Sequence, residues 1–296
     1  MLGSSVFAHR SCWQGRRSLG RGQIVIGVGG WTATCRKDTL PQALRGDYVM
    51  TDLQELRADL ACALRWAVRY DLHEGVCNHF SVAVPDDDGV VRGNLFLINP
   101  CGLHWSEVTA SSLLLCDKEG NVLEGTREVE PTAFFIHSRV HINAPGAVAV
   151  LHTHQPHATA LTLLEDGRLE MCEQNALMFD GRIAYDDDYE GLALDGDEGD
   201  RLARKLGNNQ VLMMASHGVM TTGASVGEAF TDLYYLERAA KFQLLAKASG
   251  GKLRTISDRV RAHTRQQFAT ERAIVADRHF TALKRVLDAE EPTYRH

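Results

Sequence analysis

Several absences in this sequence narrow what the protein is. No uninterrupted apolar run approaches the roughly 18 residues that a membrane-spanning helix needs, so a protein of that type is excluded. Basic residues are not in excess, because 32 lysines and arginines face 38 aspartates and glutamates. The resulting net charge of −6 argues against a general binder of nucleic-acid backbones. Neither repeats nor low-complexity tracts occur, and 44% hydrophobic residues suffice for a sizeable core.

The cysteines do not form the pattern of a disulfide framework. Their number, seven, is odd, and none belongs to a Cys-x-x-Cys pair. In a chain of 296 residues this favours reduced thiols, and we expect a cytoplasmic protein.

Acidic residues are missing from the start of the chain, where none precedes Asp38. Residues 1–49 carry a charge of +5 from seven basic and two acidic residues, against −11 for the remainder. A transit peptide is one interpretation, but a sustained amphipathic period is lacking. We expect a poorly ordered extension at 1–49, with Met50 as a candidate true start. The run at 24–30 imitates a dinucleotide-binding loop but lacks the third glycine of that pattern, and we interpret it as chance.

Apolar periodicity predicts mixed helices and strands from residue 52 onward. The predicted helices are 52–70, 132–142, 156–164, 226–248 and 257–290, and the predicted strands are 79–84, 94–98, 113–116, 122–123, 147–151 and 210–215. Early hairpins followed by helices between strands indicate one α/β domain, layered α/β/α around a central, mainly antiparallel sheet. We place this domain at 50–250, followed by a C-terminal helical extension at 251–296.

The strongest chemical signal is a pair of histidines at the end of a buried strand. His152 and His154 follow the apolar run 148–151, and residues two apart on a strand point to the same face. Both imidazoles can therefore bind one divalent ion such as zinc. His217 is the third candidate ligand because it also follows an apolar strand, although a hydrogen bond within a turn is the alternative. Three imidazoles leave a coordination position open, as catalytic metal centres require.

Other histidines lie near these in the sequence. His137 and His141 are four apart and share one helical face. They are candidates for the metal site, for general acid–base catalysis, or for lining a polar groove. His104 and His157 are interpreted as polar residues of a cleft or of the surface.

Five motifs occur in order along residues 53–250. They are His79-Phe80-Ser81-Val82, Ile98-Asn99-Pro100-Cys101-Gly102, Phe135-Ile136-His137-Ser138, His152-Thr153-His154-Gln155-Pro156 and Ser216-His217-Gly218-Val219-Met220. Together they resemble the class II aldolase/adducin head domain family. The resemblance implies an α/β/α fold and, by analogy with the family's sugar-phosphate aldolases, Zn²⁺ held by His152, His154 and His217. That metal stabilises the negative charge that develops as a carbon–carbon bond breaks.

The chain departs from those aldolases in two respects, which places it in an adducin-like branch. The position of their catalytic glutamate is occupied by Ala133, which cannot accept a proton. The positions of their phosphate cradle are occupied by Val76, His79, Cys101 and Pro131-Thr132. Valine and proline side chains donate no hydrogen bonds to a phosphate. The resemblance therefore predicts a retained metal site without the usual base or phosphate pocket.

The replacement base is predicted among His79, His137 and His141, because imidazole titrates near neutral pH. Glu130 and Glu173 are alternatives, provided that folding brings either carboxylate into the cleft.

Our leading hypothesis is a metal-dependent lyase-type enzyme that cleaves or decarboxylates a small, non-phosphorylated oxo- or hydroxy-acid. Zn²⁺ is the expected metal, with Fe²⁺ and Mn²⁺ as alternatives. A non-catalytic, adducin-like assembly domain and an Fe(II)-dependent oxygenase on the same fold are the competing hypotheses. The family implies a homo-oligomer, a tetramer in many members, and we expect neither a nucleic-acid nor a membrane partner.

Overall fold

The computed structural model describes residues 23–28, 31–36 and 53–296, with the exception of 87 and 145. The chain divides into two units, Met1–Met50 and Thr51–His296. In the first unit, β1 (Gln23–Val28) pairs with β2 (Trp31–Arg36) in antiparallel fashion. A second strand therefore follows where a dinucleotide fold would place a helix. The other residues of the predicted extension 1–49 lie outside the described residues, and the domain boundaries stay predictions.

An eight-stranded sheet lies at the centre of the second unit. Its strands are β3 (His79–Val84), β4 (Leu95–Ile98), β5 (Leu114–Asp117), β6 (Val122–Glu124), β7 (Ala149–Thr153), β8 (Ile183–Asp186), β9 (Val211–Met214) and β10 (Gly218–Gly223). They lie in the order β6-β5-β4-β3-β7-β10-β9-β8. All neighbouring strands are antiparallel except β8 and β9, which a helical crossover connects. The predicted mainly antiparallel sheet is confirmed.

Helices cover both faces of this sheet. They are α1 (Leu53–Arg69), α2 (Pro131–Asn143), α3 (Pro156–Thr162), α4 (Gln174–Leu177), α5 (Gly196–Leu206), α6 (Val226–Ala248) and α7 (Asp258–Glu290). Successive side chains of β7 point to opposite faces, so Leu151 joins the core under α1 and α6, whereas Val150 joins the core under α2 and α5. The predicted α/β/α layering is therefore confirmed.

Local chemistry fixes where the helices near the centre of the fold begin. Glu130 caps α2 through a hydrogen bond from the Ala133 amide, and Pro131 occupies the first helical turn, where it has no amide hydrogen to lose. Asp195 caps α5, and Ser225 caps α6. Within the described ranges, no helix combines the length and the apolar content needed to cross a bilayer.

Candidate metal and substrate site

Three predicted ligands come together at one end of the sheet. His152 lies in β7, His154 follows that strand directly, and His217 lies in the turn between β9 and β10. One ring nitrogen of each histidine lies within 4.8 Å of the corresponding nitrogens of the other two. The structure thus joins two chain segments that are 63 positions apart from His154 to His217.

Hydrogen bonds to the outer nitrogens orient two of these rings. Nδ1 of His152 lies 2.9 Å from the carbonyl oxygen of Val219, and Nδ1 of His154 donates to the carboxylate of Glu74. Each Nδ1 therefore carries the proton, and each Nε2 keeps a lone pair. Nε2 of His154 is buried without a hydrogen-bond partner. Such second partners are typical of metal-binding histidines, so this set of donors fits a divalent metal.

The turn that carries His217 needs a glycine beside it. A Cβ atom on Gly218 would lie 2.6 Å from Cδ2 of His154 and 2.7 Å from the carbonyl oxygen of Thr153. Ser216, in the tight turn between β9 and β10, has a positive φ of 56°, in the left-handed region. The Ser-His-Gly sequence therefore allows β10 to approach the His-x-His segment closely enough to gather the three rings.

Burial keeps two of the predicted ligands, His152 and His217, in the neutral form that binds a metal. It lowers the pKa of His217 to about 4, with a further lowering by His154. Burial also lowers the pKa of His152 well below its ordinary value, and the neighbouring histidines act in the same direction. At neutral pH both rings therefore offer a lone pair without first losing a proton.

A cavity of about 490 Å³ opens over the three histidines. Its lining residues are Val76, Cys77, Asn78, His79, Asn99, Pro100, Cys101, Glu130, Thr132, Ala133, Ile136, His152, His154, Tyr189, Gly191, Leu192, Ala193, Glu198, Leu202, Ser216 and His217. Among the described residues, this lining includes two glutamates and neither lysine nor arginine. This volume is within the range of small-molecule sites, which have roughly 300–1,000 Å³.

Asn78 supplies an unused hydrogen-bond donor in this lining. Its Oδ1 accepts a hydrogen bond from the backbone amide of His154, while its Nδ2 is buried without a partner. A buried donor of this kind is costly unless a ligand oxygen or a water satisfies it. The positive φ of 72° at Asn78 suits asparagine better than most residues.

The three predicted acid–base histidines occupy different depths. His79 lines the cavity, whereas His137 and His141 lie behind it, fully buried and outside the lining. Nδ1 of His79 lies 2.7 Å from Nε2 of His137, and the hydroxyl of Ser81 bridges His137 and His141. Burial lowers the pKa of His79 to about 3 and that of His141 to about 4, below the near-neutral range that the sequence led us to expect for imidazole. Of these three histidines, only His79 is placed to contact a ligand in the cavity.

The two alternative carboxylates also differ in position. Glu130 lines the cavity beside Ala133, and one of its oxygens caps α2. Glu173 instead caps α4, where it accepts hydrogen bonds from two backbone amides, and it lies outside the lining. Of the two glutamates considered as alternative bases, Glu130 lies in the cleft and Glu173 does not.

His104 and His157 have other partners. The hydroxyl of Ser106 lies 2.7 Å from Nδ1 of His104, and Nε2 of His73 lies 3.2 Å from its other nitrogen. His157 pairs with Glu237, whose carboxylate also accepts the first amides of α3. Neither histidine belongs to the described lining of the cavity, and their interpretation as polar residues of a cleft or of the surface stays a prediction.

Sequence comparison identifies the family. Residues 58–244 match the model of the Class II Aldolase and Adducin N-terminal domain, and the chain belongs to this family. A Caulobacter vibrioides protein named as an aldolase class 2 protein is 31% identical over 242 residues, covering 81% of this chain and 91% of its own. Class II aldolases are typically dependent on a divalent metal, and the three converging histidines are compatible with such a site.

Two further comparisons extend this result. The crystal structure of an aldolase II superfamily protein from Pseudomonas syringae superimposes with a TM-score of 0.77 at 34% identity, covering 84% of this chain and 98% of that one. A 4-hydroxy-3-prenylphenylpyruvate oxygenase/4-hydroxy-3-prenylbenzoate synthase from Streptomyces roseochromogenus is 30% identical over 193 residues, covering 64% of this chain and 68% of its own.

Proposed function

We propose that this protein is a metal-dependent carbon–carbon lyase for a non-phosphorylated oxo- or hydroxy-acid. The observation that carries the proposal is the convergence of His152, His154 and His217 at one end of a cavity whose described lining residues include no lysine or arginine. A divalent cation held by these rings would act as a Lewis acid toward the oxygens of the substrate. We propose Zn²⁺ as that cation, with Fe²⁺ and Mn²⁺ as alternatives.

The cavity lining supports a substrate that carries little negative charge beyond one acid group. Glu130 and Glu198 line it, and the residues described there offer no lysine or arginine that would bind a phosphate dianion. The unpaired Nδ2 of Asn78 suits a carbonyl or carboxylate oxygen. Ile136 and Leu202 form apolar wall on the same cavity, which favours an uncharged substituent on the acid.

We assign the proton transfer to His79, the acid–base candidate that lines the cavity. In an aldol cleavage, Nε2 of His79 accepts the proton of the substrate hydroxyl while the adjacent carbon–carbon bond breaks. The electron pair of that bond delocalises onto the substrate's carbonyl group. Glu130 is the competing acceptor, since one of its oxygens is engaged at the start of α2 and the other makes no hydrogen bond in the described residues.

The proposal is tested with protein loaded separately with Zn²⁺, Mn²⁺ and Fe²⁺. A panel of 2-oxo-4-hydroxy acids is followed by NMR for cleavage products, with phosphorylated analogues alongside. Turnover should require metal and should be lost in His152→Ala, whereas His263→Ala, a change at an exposed histidine of α7, should retain it. Turnover that survives His152→Ala, or a clear preference for phosphorylated analogues, would contradict the proposal. Absence of turnover with every acid and metal would favour the adducin-like assembly role.

An Fe(II)-dependent oxygenase is the second candidate, because the Streptomyces relative is named as an oxygenase. Three imidazoles with open positions are compatible with iron. Oxygen consumption that needs both Fe²⁺ and an oxo-acid, and that Zn²⁺ abolishes, would select this candidate. Equal turnover with Zn²⁺ under anaerobic conditions would instead select the lyase.

We also propose a cytoplasmic homo-oligomer, a tetramer by analogy with the family. Exposed apolar side chains beside the cavity support association, since Tyr189, Leu192 and Leu194 are all more than half exposed. The five cysteines within residues 53–296 are free, which supports a reducing compartment. Light scattering of the purified protein should give four times the mass of 32.7 kDa, and a monomer would contradict this part of the proposal.

A further inference from the structure

A continuous chain of hydrogen bonds runs from the cavity into the protein behind β3. Nδ1 of His79 lies 2.7 Å from Nε2 of His137, whose Nδ1 lies 2.5 Å from the hydroxyl oxygen of Ser81. That oxygen lies 2.7 Å from Nε2 of His141, and Nδ1 of His141 lies 2.9 Å from the carbonyl oxygen of Ala147. All four residues whose side chains form these hydrogen bonds are at least nine-tenths buried.

The carbonyl at the inner end sets the direction of every bond. A carbonyl only accepts, so Nδ1 of His141 carries a hydrogen, and in the neutral ring Nε2 keeps a lone pair. The Ser81 hydroxyl must then donate to His141 and accept from Nδ1 of His137. The same rule leaves a lone pair on Nε2 of His137, so Nδ1 of His79 donates to it.

We infer that the Ala147 carbonyl, acting through His141, Ser81 and His137, holds His79 as the Nδ1–H tautomer and leaves its Nε2 lone pair for the cavity. Nε2 of His79 forms no hydrogen bond within the described residues, and His79 is part of the cavity lining. Ser81, His137 and His141 are therefore positioning residues. The tautomer follows from the hydrogen bonds alone, whereas the use of Nε2 as proton acceptor rests on the proposed function.

The neutral state of the rings is a consequence of their surroundings. Phe96 packs against the ring of His141, and in the described structure no carboxylate pairs with His79, His137 or His141. A charged ring there would lose its hydration without a compensating partner. The reverse polarity would set a lone pair of His141 against the Ala147 carbonyl oxygen 2.9 Å away, which is repulsive.

Ser81→Ala interrupts the hydrogen bonds with the smallest change in side-chain volume. The Ser81 hydroxyl donates to His141 and accepts from His137. Without it, His137 is no longer linked to His141, and His79 is no longer restricted to one tautomer. Ser81→Thr keeps the hydroxyl. Ser138→Ala is the matched control, because Ser138 is equally buried on α2 and its hydroxyl is outside the chain.

The tautomers are read in the full-length protein with ¹⁵N-labelled histidine, with and without Zn²⁺, from two-bond ¹H–¹⁵N correlations. His79, His137 and His141 should all appear as Nδ1–H. Free histidine in water prefers Nε2–H, so this result is not the default. Observation of Nε2–H at His79 in the unaltered protein would overturn the inference, and this measurement does not depend on whether any variant folds.

The variants separate positioning from structure. Ser81→Ala should move His79 toward the Nε2–H form and lower kcat at least tenfold, with KM and the Zn²⁺ dissociation constant each within about threefold of the parent. Ser81→Thr and Ser138→Ala should keep the parental tautomer. An unchanged His79 signal and unchanged kcat in a folded Ser81→Ala variant would refute the positioning role. Parental tautomers as expected in a protein that turns over no acid would uphold the tautomer assignment and reject the proposed function.

Discussion

Glu74 offers the sharpest test of the proposed metal site because it acts on a proposed ligand, His154, without being one itself. Its carboxylate accepts the Nδ1 proton of His154 from a position 80 residues away in sequence. This bond keeps the ring oriented with Nε2 toward His152 and His217. Glu74→Ala removes the acceptor, so the ring gains freedom to rotate and to exchange tautomers. Glu74→Gln keeps an acceptor oxygen but removes the charge that makes His154 a stronger donor to a metal.

The expected loss of metal affinity follows from the position of this carboxylate. Removing such a partner typically weakens a metal site by about 10–100-fold. The Glu74 side chain is 61% exposed, and water screens it, so we expect about tenfold for Glu74→Ala, or about 1.4 kcal/mol. Glu74→Gln should lose about threefold. The free energy of unfolding of the metal-free protein should change by no more than about 0.5 kcal/mol, as for other exposed sites.

The measurement is a Zn²⁺ titration against a competing chelator, together with denaturant unfolding of the metal-free form. Glu119→Ala is the matched control, because that glutamate is 60% exposed and contacts none of the three histidines. The control should keep parental Zn²⁺ affinity. If Glu74→Ala binds Zn²⁺ as tightly as the control does, Glu74 has no part in orienting His154. A loss of affinity that accompanies an equal loss of folding stability would likewise refute the orienting role.

Two further predictions concern packing and pH. Gly218→Ala should weaken Zn²⁺ binding at least tenfold and destabilise the metal-free protein by about 1–3 kcal/mol, since its new Cβ would lie 2.6 Å from a ring carbon of His154. Gly146→Ala, with nothing within 4 Å of its Cβ, should do neither in the same assays. Burial lowers the pKa of His141 to about 4 from an ordinary 6.5, so its contribution to stability is complete above pH 6.5 and is lost as the pH falls toward 4. Between pH 6.5 and pH 4, the free energy of unfolding of the metal-free protein should fall by about 3 kcal/mol because of this group. Denaturant unfolding of His141→Gln should show a smaller decrease over the same interval. A decrease as large as in the parent would contradict the burial effect.

The sequence predicts the fold best where local and tertiary preferences agree. The helix predicted at 226–248 is α6 with the same bounds, since Ser225 caps it and its apolar stripe packs on the sheet. The strand predicted at 147–151 is β7 at Ala149–Thr153 instead. Its apolar run precedes the paired segment, and antiparallel pairing of Thr153 with Val219 extends the strand past His152. The sequence did not predict helix α5, because its first turns are charged and few of its residues are buried.

The sequence predicts those parts of the candidate site whose residues lie on one strand or in one short motif. The period of two along β7 predicts that His152 and His154 share a direction, but nothing local predicts that Glu74 reaches His154. The role of Ser81 as a hydrogen-bond partner could have been predicted from the sequence. It stands two positions after His79 on a strand whose six residues are all buried, so a hydroxyl on the same face needed a partner.

The polar chain behind His79 also bears on the choice between an enzyme and an assembly domain. Buried polar side chains lower stability relative to well-packed apolar ones of similar volume unless every hydrogen bond is made. On α2, His137 and His141 sit beside Ile136 and Val140, which contribute to an ordinary apolar core. An assembly domain needs only that core and an outer surface, and it gains nothing from three buried imidazoles whose bonds end at a cavity. An oriented lone pair beside three histidines that we propose as metal ligands has a use in proton transfer, and this is the physical ground for preferring the lyase.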